Sequence, residues 1–232
     1  MNNISIIPIN NLPEFEPKHD LADEIVKSFS SNNFVLEDKD VIVITQKIVS
    51  KVEDRLIKND NESIEKLIQQ ESLEILRKRG DTVIARTKHG FICANAGIDK
   101  SNIEKGSVLL LPEDPDKTSR DIRKKIEHLI NKKISIIISD TFGRAWRKGQ
   151  TNVAIGSSGI EPLESYIGEK DAFDNELFAT EIAIIDELAG AAELVMKKSD
   201  NIPVAIIRGV NYKYSDLGVK ELIRKEDEDF FL

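Results

Sequence analysis

Apolar positions recur along this chain in two rhythms. Short β-branched runs predict strands at 4–9, 41–44, 82–87, 90–94, 107–111, 134–139, 153–155 and 203–207. The runs at 41–44 (VIVI) and 134–139 (ISIIIS) read as buried strands, and 153–155 is the weakest. Helical spacing predicts a helix over 20–30, where Leu21, Ile25 and Phe29 share a face. A second is predicted over 63–79 on Ile64, Leu67, Ile68, Leu73, Ile75 and Leu76, with Ser63 as N-cap and Gly80 as its stop. Further helices are predicted over 117–131, 179–198 and 216–224. A hairpin is expected around His89-Gly90, and Pro112-Glu113-Asp114-Pro115 reads as a loop. The alternation gives an α/β or mixed α+β class, and no repeat or low-complexity linker divides the chain.

Composition narrows the class. The 33 Lys+Arg against 41 Asp+Glu leave a net charge of −8, which argues against a general nucleic-acid binder. Single Cys93 rules out an intrachain disulfide and a Cys-based zinc cluster, and a reducing, cytoplasmic compartment is expected. No apolar run approaches a membrane span, and no secretory leader is recognisable. P-loop, dinucleotide-fold, G-x-S-x-G and H-E-x-x-H motifs are all missing.

Chemistry concentrates in 134–159, ISIIISDTFGRAWRKGQTNVAIGSSG. A strand delivering Asp140 and Thr141 at its C-terminal end offers a hard-oxygen pair suited to Mg²⁺ or Mn²⁺. Arg144, Arg147 and Lys148 follow, cations suited to phosphates and carboxylates, with glycines for close backbone approach. The plain alternative is a turn aspartate followed by a solvated basic loop. Asp99, in CANAGIDKSN, reads either as a second carboxylate or as an Asx-turn. Cys93 reads as a buried, inert thiol. In TQKIVSK, Lys47 and Lys51 stand at i,i+4, and Lys51 is a candidate phosphate contact or a surface lysine.

Six segments in order, NLPEF, ITQKIVSKVEDR, FICANAGIDKSN, SDTFGRAWRKGQTNVAIGSSG, ATEIAIIDELAGAAELVMKK and IPVAIIRG, make the chain resemble the coenzyme F420:L-glutamate ligase family. The resemblance implies a single functional unit over 1–232 with a compact α/β fold, an intertwined homodimer, and no nitroreductase-like C-terminal domain. It implies joining of L-glutamate to coenzyme F420-0 with GTP, two divalent ions (Mn²⁺ or Mg²⁺) and K⁺, through an acyl phosphate, with further γ-linked glutamate addition as an option. Asp99 and Asp140 correspond to ligands of one metal and Thr141 to a ligand of the second. Leu12, Pro13, Glu14 and Phe15, with Gln46, Lys51, Asn102, and Met196, Lys197, Lys198 and Ser199, correspond to nucleotide-binding positions, and the loop formed by the last four is also expected to help hold the second metal. Arg144 and Arg147 are assigned by chemistry to the anionic substrate. Three places depart from the family: Ala145 replaces a frequent Pro, Lys18-His19 a usual Gly-Asp, and Lys197 to Asn201 a glycine-rich acidic loop. A ligase for another acceptor and a non-catalytic GTP- or metal-binding regulator are the competing readings.

Overall fold

The computed structural model describes residues 3–58, 64–101 and 103–230. The chain runs β1 (Ser5–Ile9), α1 (Leu21–Ser31), β2 (Val41–Thr45), α2 (Gln46–Val52), β3 (Leu56–Lys58) and α3 (Ile64–Glu71). Next come β4 (Ser72–Arg79), β5 (Thr82–Thr87), β6 (Ile92–Ala94), β7 (Ser107–Leu109), α4 (Pro115–Ile130) and β8 (Ser135–Arg144). It continues through β9 (Arg147–Ser158), β10 (Glu164–Ser165), β11 (Glu181–Ile182), α5 (Ile184–Met196) and β12 (Val204–Arg208). The mixed α/β class expected from the pattern is what the chain adopts.

A five-stranded sheet in the order β1-β12-β2-β8-β9 forms the centre, antiparallel except for the parallel pair β2–β8. Alternation along β2 sends Ile42 and Ile44 to one face, where they pack with Ile25 of α1, Ile126 of α4, Ile136 and Ile138. Val41 and Val43 point to the other face, against Ile137, Ile207 and the Ile185, Leu188, Ala189 and Ala192 stripe of α5. Burial on both faces explains why β2 and the start of β8 read as continuous β-branched runs. A second, three-stranded sheet β4-β5-β6 packs with α3 around Ile68, Val83, Ala85 and Ala96.

Several expected elements are corrected. The helix expected over 63–79 ends at Glu71, and its second half is β4, paired antiparallel with β5. Only Leu67 and Ile68 of that helix are buried; Leu73 is 67% exposed, so the later apolar residues make no helical stripe. Gly80, at φ +58, turns the β4–β5 hairpin instead of ending a helix. The N-cap residue Ser63 lies outside the described residues. The loop expected after Asp140 is the tip of the long β8–β9 hairpin, and 153–155 is the middle of a 12-residue strand. Gly156 lies in β9, where a Cβ would come 2.5 Å from the Pro115 backbone, so it allows α4 to sit on the strand. The helix expected from 179 starts at Ile184, and that at 216–224 shrinks to a 3-10 turn, Val219–Leu222. Residues 164–182 form an irregular, mostly exposed arm closed by β10–β11. Among the described residues no helix is long and apolar enough to cross a membrane.

Candidate functional site

Strand order explains where the site forms. Because β2 and β8 are parallel neighbours, with Thr45 beside Ser139, the segments Gln46–Val52 and Asp140-Thr141 emerge at the same edge. β12 runs antiparallel to β2, so its start is at that edge too, and Thr45 N–H donates to the Pro203 carbonyl (2.9 Å). Ile9 pairs with Val204, which brings the segment after β1 to the same place. Four stretches remote in sequence thus enclose a cleft of about 160 Å³. Its walls include Leu12, Pro13, Glu14, Phe15, Lys47, Lys51, Asp140, Thr141, Glu193, Met196, Lys197 and Lys198.

Charges in the cleft are paired across elements. The Lys47 ammonium donates to the Asp99 carboxylate and to Ser101 Oγ (3.1 Å). Asp99 Oδ1 also accepts from the Ser101 N–H (2.7 Å), and backbone bonds to Leu109 anchor the residue. Lys51 donates to Glu14 Oε2 (3.1 Å). Lys198 Nζ donates to Thr141 Oγ1 (2.6 Å), Asn152 Oδ1 (3.2 Å) and Glu193 Oε1 (2.9 Å). Thr141 Oγ1 donates to Asn152 Oδ1 (2.7 Å), and Asn152 Nδ2 donates to Glu193 Oε2 (2.9 Å).

Burial pushes the Asp140 carboxyl up to about 6, although the Thr141 N–H, Lys47 and Lys198 all favour its charged form. Burial pushes the Lys47 ammonium down, opposed by Asp140. The Cys93 thiol is raised to about 12, first by burial and then by the Asp140 charge, so it is an inert thiol as read from the sequence.

Leu12, Pro13, Glu14, Phe15, Lys51, Asp140, Thr141, Met196, Lys197 and Lys198 therefore come together, with Asp99 joined through Lys47. Ser199 follows in the same loop, its hydroxyl donating to Asp200 (3.1 Å). Gln46 stays off the wall: it is fully buried, accepts from Ser50 Oγ (2.8 Å), and its Nε2 amide has no hydrogen-bond partner among the described residues. Asn102 lies outside the described residues. Arg144 and Arg147 are exposed at the β8–β9 tip, and Arg144 Nη2 donates to the Lys148 carbonyl (2.8 Å). They stand at least three residues beyond Thr141, about 10 Å along the strand.

Three participants escape the sequence reading or enter it only in passing. Lys47 reads there as a helical neighbour of Lys51. Asn152 is found only through the hairpin register, which sets it opposite Thr141. Glu193 lies three residues before Met196, one helical turn back on α5. A separate cavity of about 150 Å³ lies between His89, the start of α4 and Ile223. Of the acidic residues on its wall, Asp116 is engaged by the Ser157 and Val219 N–H groups.

Residues 10–209 match the family model described as F420-0:Gamma-glutamyl ligase. A curated relative from Methanocaldococcus jannaschii, named "Coenzyme F420:L-glutamate ligase", is 44% identical over 216 residues, covering 85% of this chain and 86% of its own. A relative of the same name from Methanococcus maripaludis strain C7 is 44% identical over 218 residues, 86% and 88% of the two chains.

Proposed function

Because this chain belongs to the F420-0:Gamma-glutamyl ligase family, we propose that it is a GTP-dependent ligase joining L-glutamate to coenzyme F420-0 by an amide bond. The observation that carries this reading is the convergence at one sheet edge of Lys47, Lys51, Lys197 and Lys198 around a half-buried Asp140. Clustered lysines suit a triphosphate, and phosphoryl transfer needs positioned charge more than a protein nucleophile.

In the first step an acceptor carboxylate oxygen bonds to the γ-phosphorus of GTP, the bridging P–O bond breaks, and GDP leaves. In the second, the glutamate amine attacks the acyl carbon, loses a proton and expels inorganic phosphate. In this reading Lys51 takes a phosphate oxygen by exchanging its contact with the exposed Glu14 carboxylate. Arg144 and Arg147, beyond the cleft, are proposed to meet the anionic acceptor. Addition of a further γ-linked glutamate follows the same two steps.

The family implies divalent ions. Asp140 fits one: it is a hard oxygen donor whose burial-raised carboxyl shows a charge only partly compensated by its lysine neighbours. Asp99 joins it on release from Lys47. Among the described residues no three His, Cys, Asp or Glu side chains form a cage, so phosphate oxygens and water are required to complete the shell. When bound, such an ion withdraws charge from the transferring phosphoryl oxygens. Thr141 differs from Asp99: the Lys198 ammonium meets its hydroxyl together with Asn152 and Glu193 oxygens, so a cation already stands where a second ion would bind. K⁺ dependence, a cytoplasmic location and an intertwined homodimer complete the proposal. The arm at 164–182 supports the dimer, since Phe173 and Phe178 are 85% and 77% exposed.

Purified protein with GTP, Mn²⁺, glutamate and F420-0 is expected to yield GDP, phosphate and a product one glutamate heavier, read by mass spectrometry. GDP release only with another carboxylate acceptor would replace this reading with a related ligase. Tight GTP binding without turnover on any acceptor would make the protein a regulator.

A further inference from the structure

We propose that Lys198 is a built-in cation, its ammonium taking the place of one of the two divalent ions that the family reading implies. The inference rests on that reading and changes its metal count. Three oxygens of different chemistry converge on Lys198 Nζ: the Thr141 hydroxyl at 2.6 Å, the Asn152 amide oxygen at 3.2 Å and a Glu193 carboxylate oxygen at 2.9 Å. Hydroxyl, amide and carboxylate oxygens are the donors that a hard cation selects. An ammonium only donates, and each of these oxygens can accept from it.

The acceptors are held independently of the lysine. β8 and β9 set Thr141 opposite Asn152, and the Thr141 hydroxyl donates its proton to Asn152 Oδ1, leaving its lone pairs for a cation. Glu193 accepts from Asn152 Nδ2, which turns the amide oxygen toward the same point. Asn152 is almost fully buried, so the cluster is rigid before any ligand arrives. This is an oxygen site with a positive centre supplied in cis.

The backbone is arranged to deliver that centre. α5 ends at Met196, and Lys197 adopts φ 50, ψ −176, a conformation close to one that only glycine adopts freely. The reversal carries Lys198 back over the last turn, where helix carbonyls favour a cation. A fixed ammonium beside Asp140 would neutralise phosphate charge without an ion to capture or lose, and it would leave Asp140 with Asp99 as the one divalent site.

Mn²⁺ alone, titrated into the purified protein and counted from the free-ion EPR signal, tests this. The wild-type chain is expected to bind one Mn²⁺. Lys198→Gln, which replaces the charge with an amide oxygen, is expected to bind two. Lys198→Arg, which keeps the charge, is expected to remain at one. The Lys198 side chain is 59% exposed, and circular dichroism confirms that each variant is folded. Two ions in the wild-type or Arg chain, or one in the Gln chain, would overturn the inference while leaving the metal reading intact. No bound Mn²⁺ in any of the three would remove the metal reading, and the inference with it.

Discussion

Lys197 illustrates at the scale of one residue how the cleft constrains the chain. Its positive φ with an extended ψ costs about 1–3 kcal/mol for a residue with a Cβ. Lys197→Gly relieves that strain and loses some unfolded-state restriction, so a net gain of about 1 kcal/mol is expected, read as a higher Tm. No gain would mean that the lysine ion pair with Asp200 matters more than the backbone. Asp186 carries a pH signature outside the cleft. Burial raises its carboxyl, although the Ala154 N–H donates to it (2.8 Å). The folded state therefore holds the proton longer than the unfolded chain. Stability is lost as pH rises from the ordinary carboxylate range through the raised value. Asp186→Asn keeps the acceptor oxygen and cannot ionise. Its Tm advantage over wild type is expected to grow from pH 4 to pH 7, and an advantage that shrinks over that interval would contradict the burial argument.

At the scale of elements, the β8–β9 hairpin decides most of what the site contains. Its neighbour α4 rests on Gly156, where a methyl group would meet the Pro115 carbonyl. Gly156→Ala is expected to cost about 3 kcal/mol in denaturant unfolding, since backbone and not a flexible side chain must yield. Loss under 1 kcal/mol would show that helix and strand separate easily. The hairpin also shows what the sequence could reveal. β2 and the first half of β8 were legible because both faces are buried, and Asp140 with Thr141 was found because it follows such a run. The remainder of β8 and the start of β9 read TFGR and RKGQTN, polar and glycine-containing, and their strand character comes from pairing with each other. Leu73, Ile75 and Leu76 suit a helical period and so extend α3 through β4 in the sequence, whereas the pairing with β5 makes that half a strand. Asn152 and Glu193 stayed hidden for a related reason: strand register and a helix turn beside the loop bring them to Thr141, and neither shows in local sequence.

Over the whole molecule, a net charge of −8 coexists with a cleft whose walls hold Lys47, Lys51, Lys197 and Lys198 against Glu14, Asp140 and Glu193. Local cations on that wall, not the overall charge, are what an anionic substrate would meet in this acidic protein. The arm at 164–182 projects apolar side chains with no core of its own. If it joins two chains, light scattering will give a dimer mass for the native protein. It will give a monomer mass when residues 166–180 are replaced by a two-residue Asn-Gly turn; an unchanged mass would place the contact elsewhere. The position of β12 between β1 and β2 has a consequence for biosynthesis. β1 pairs in register with β12, so Ile9 must wait for Val204, roughly two hundred residues later. At ribosomal speeds of about 5–20 residues per second, that delay is about 10–40 s. Throughout it, one apolar strand lacks its partner and offers its edge to other nascent chains. The cleft is absent as well, because Pro203 is part of its wall. Ligand therefore gives no help before β12 has been made, and yield in the cell depends on whatever shields β1 until then.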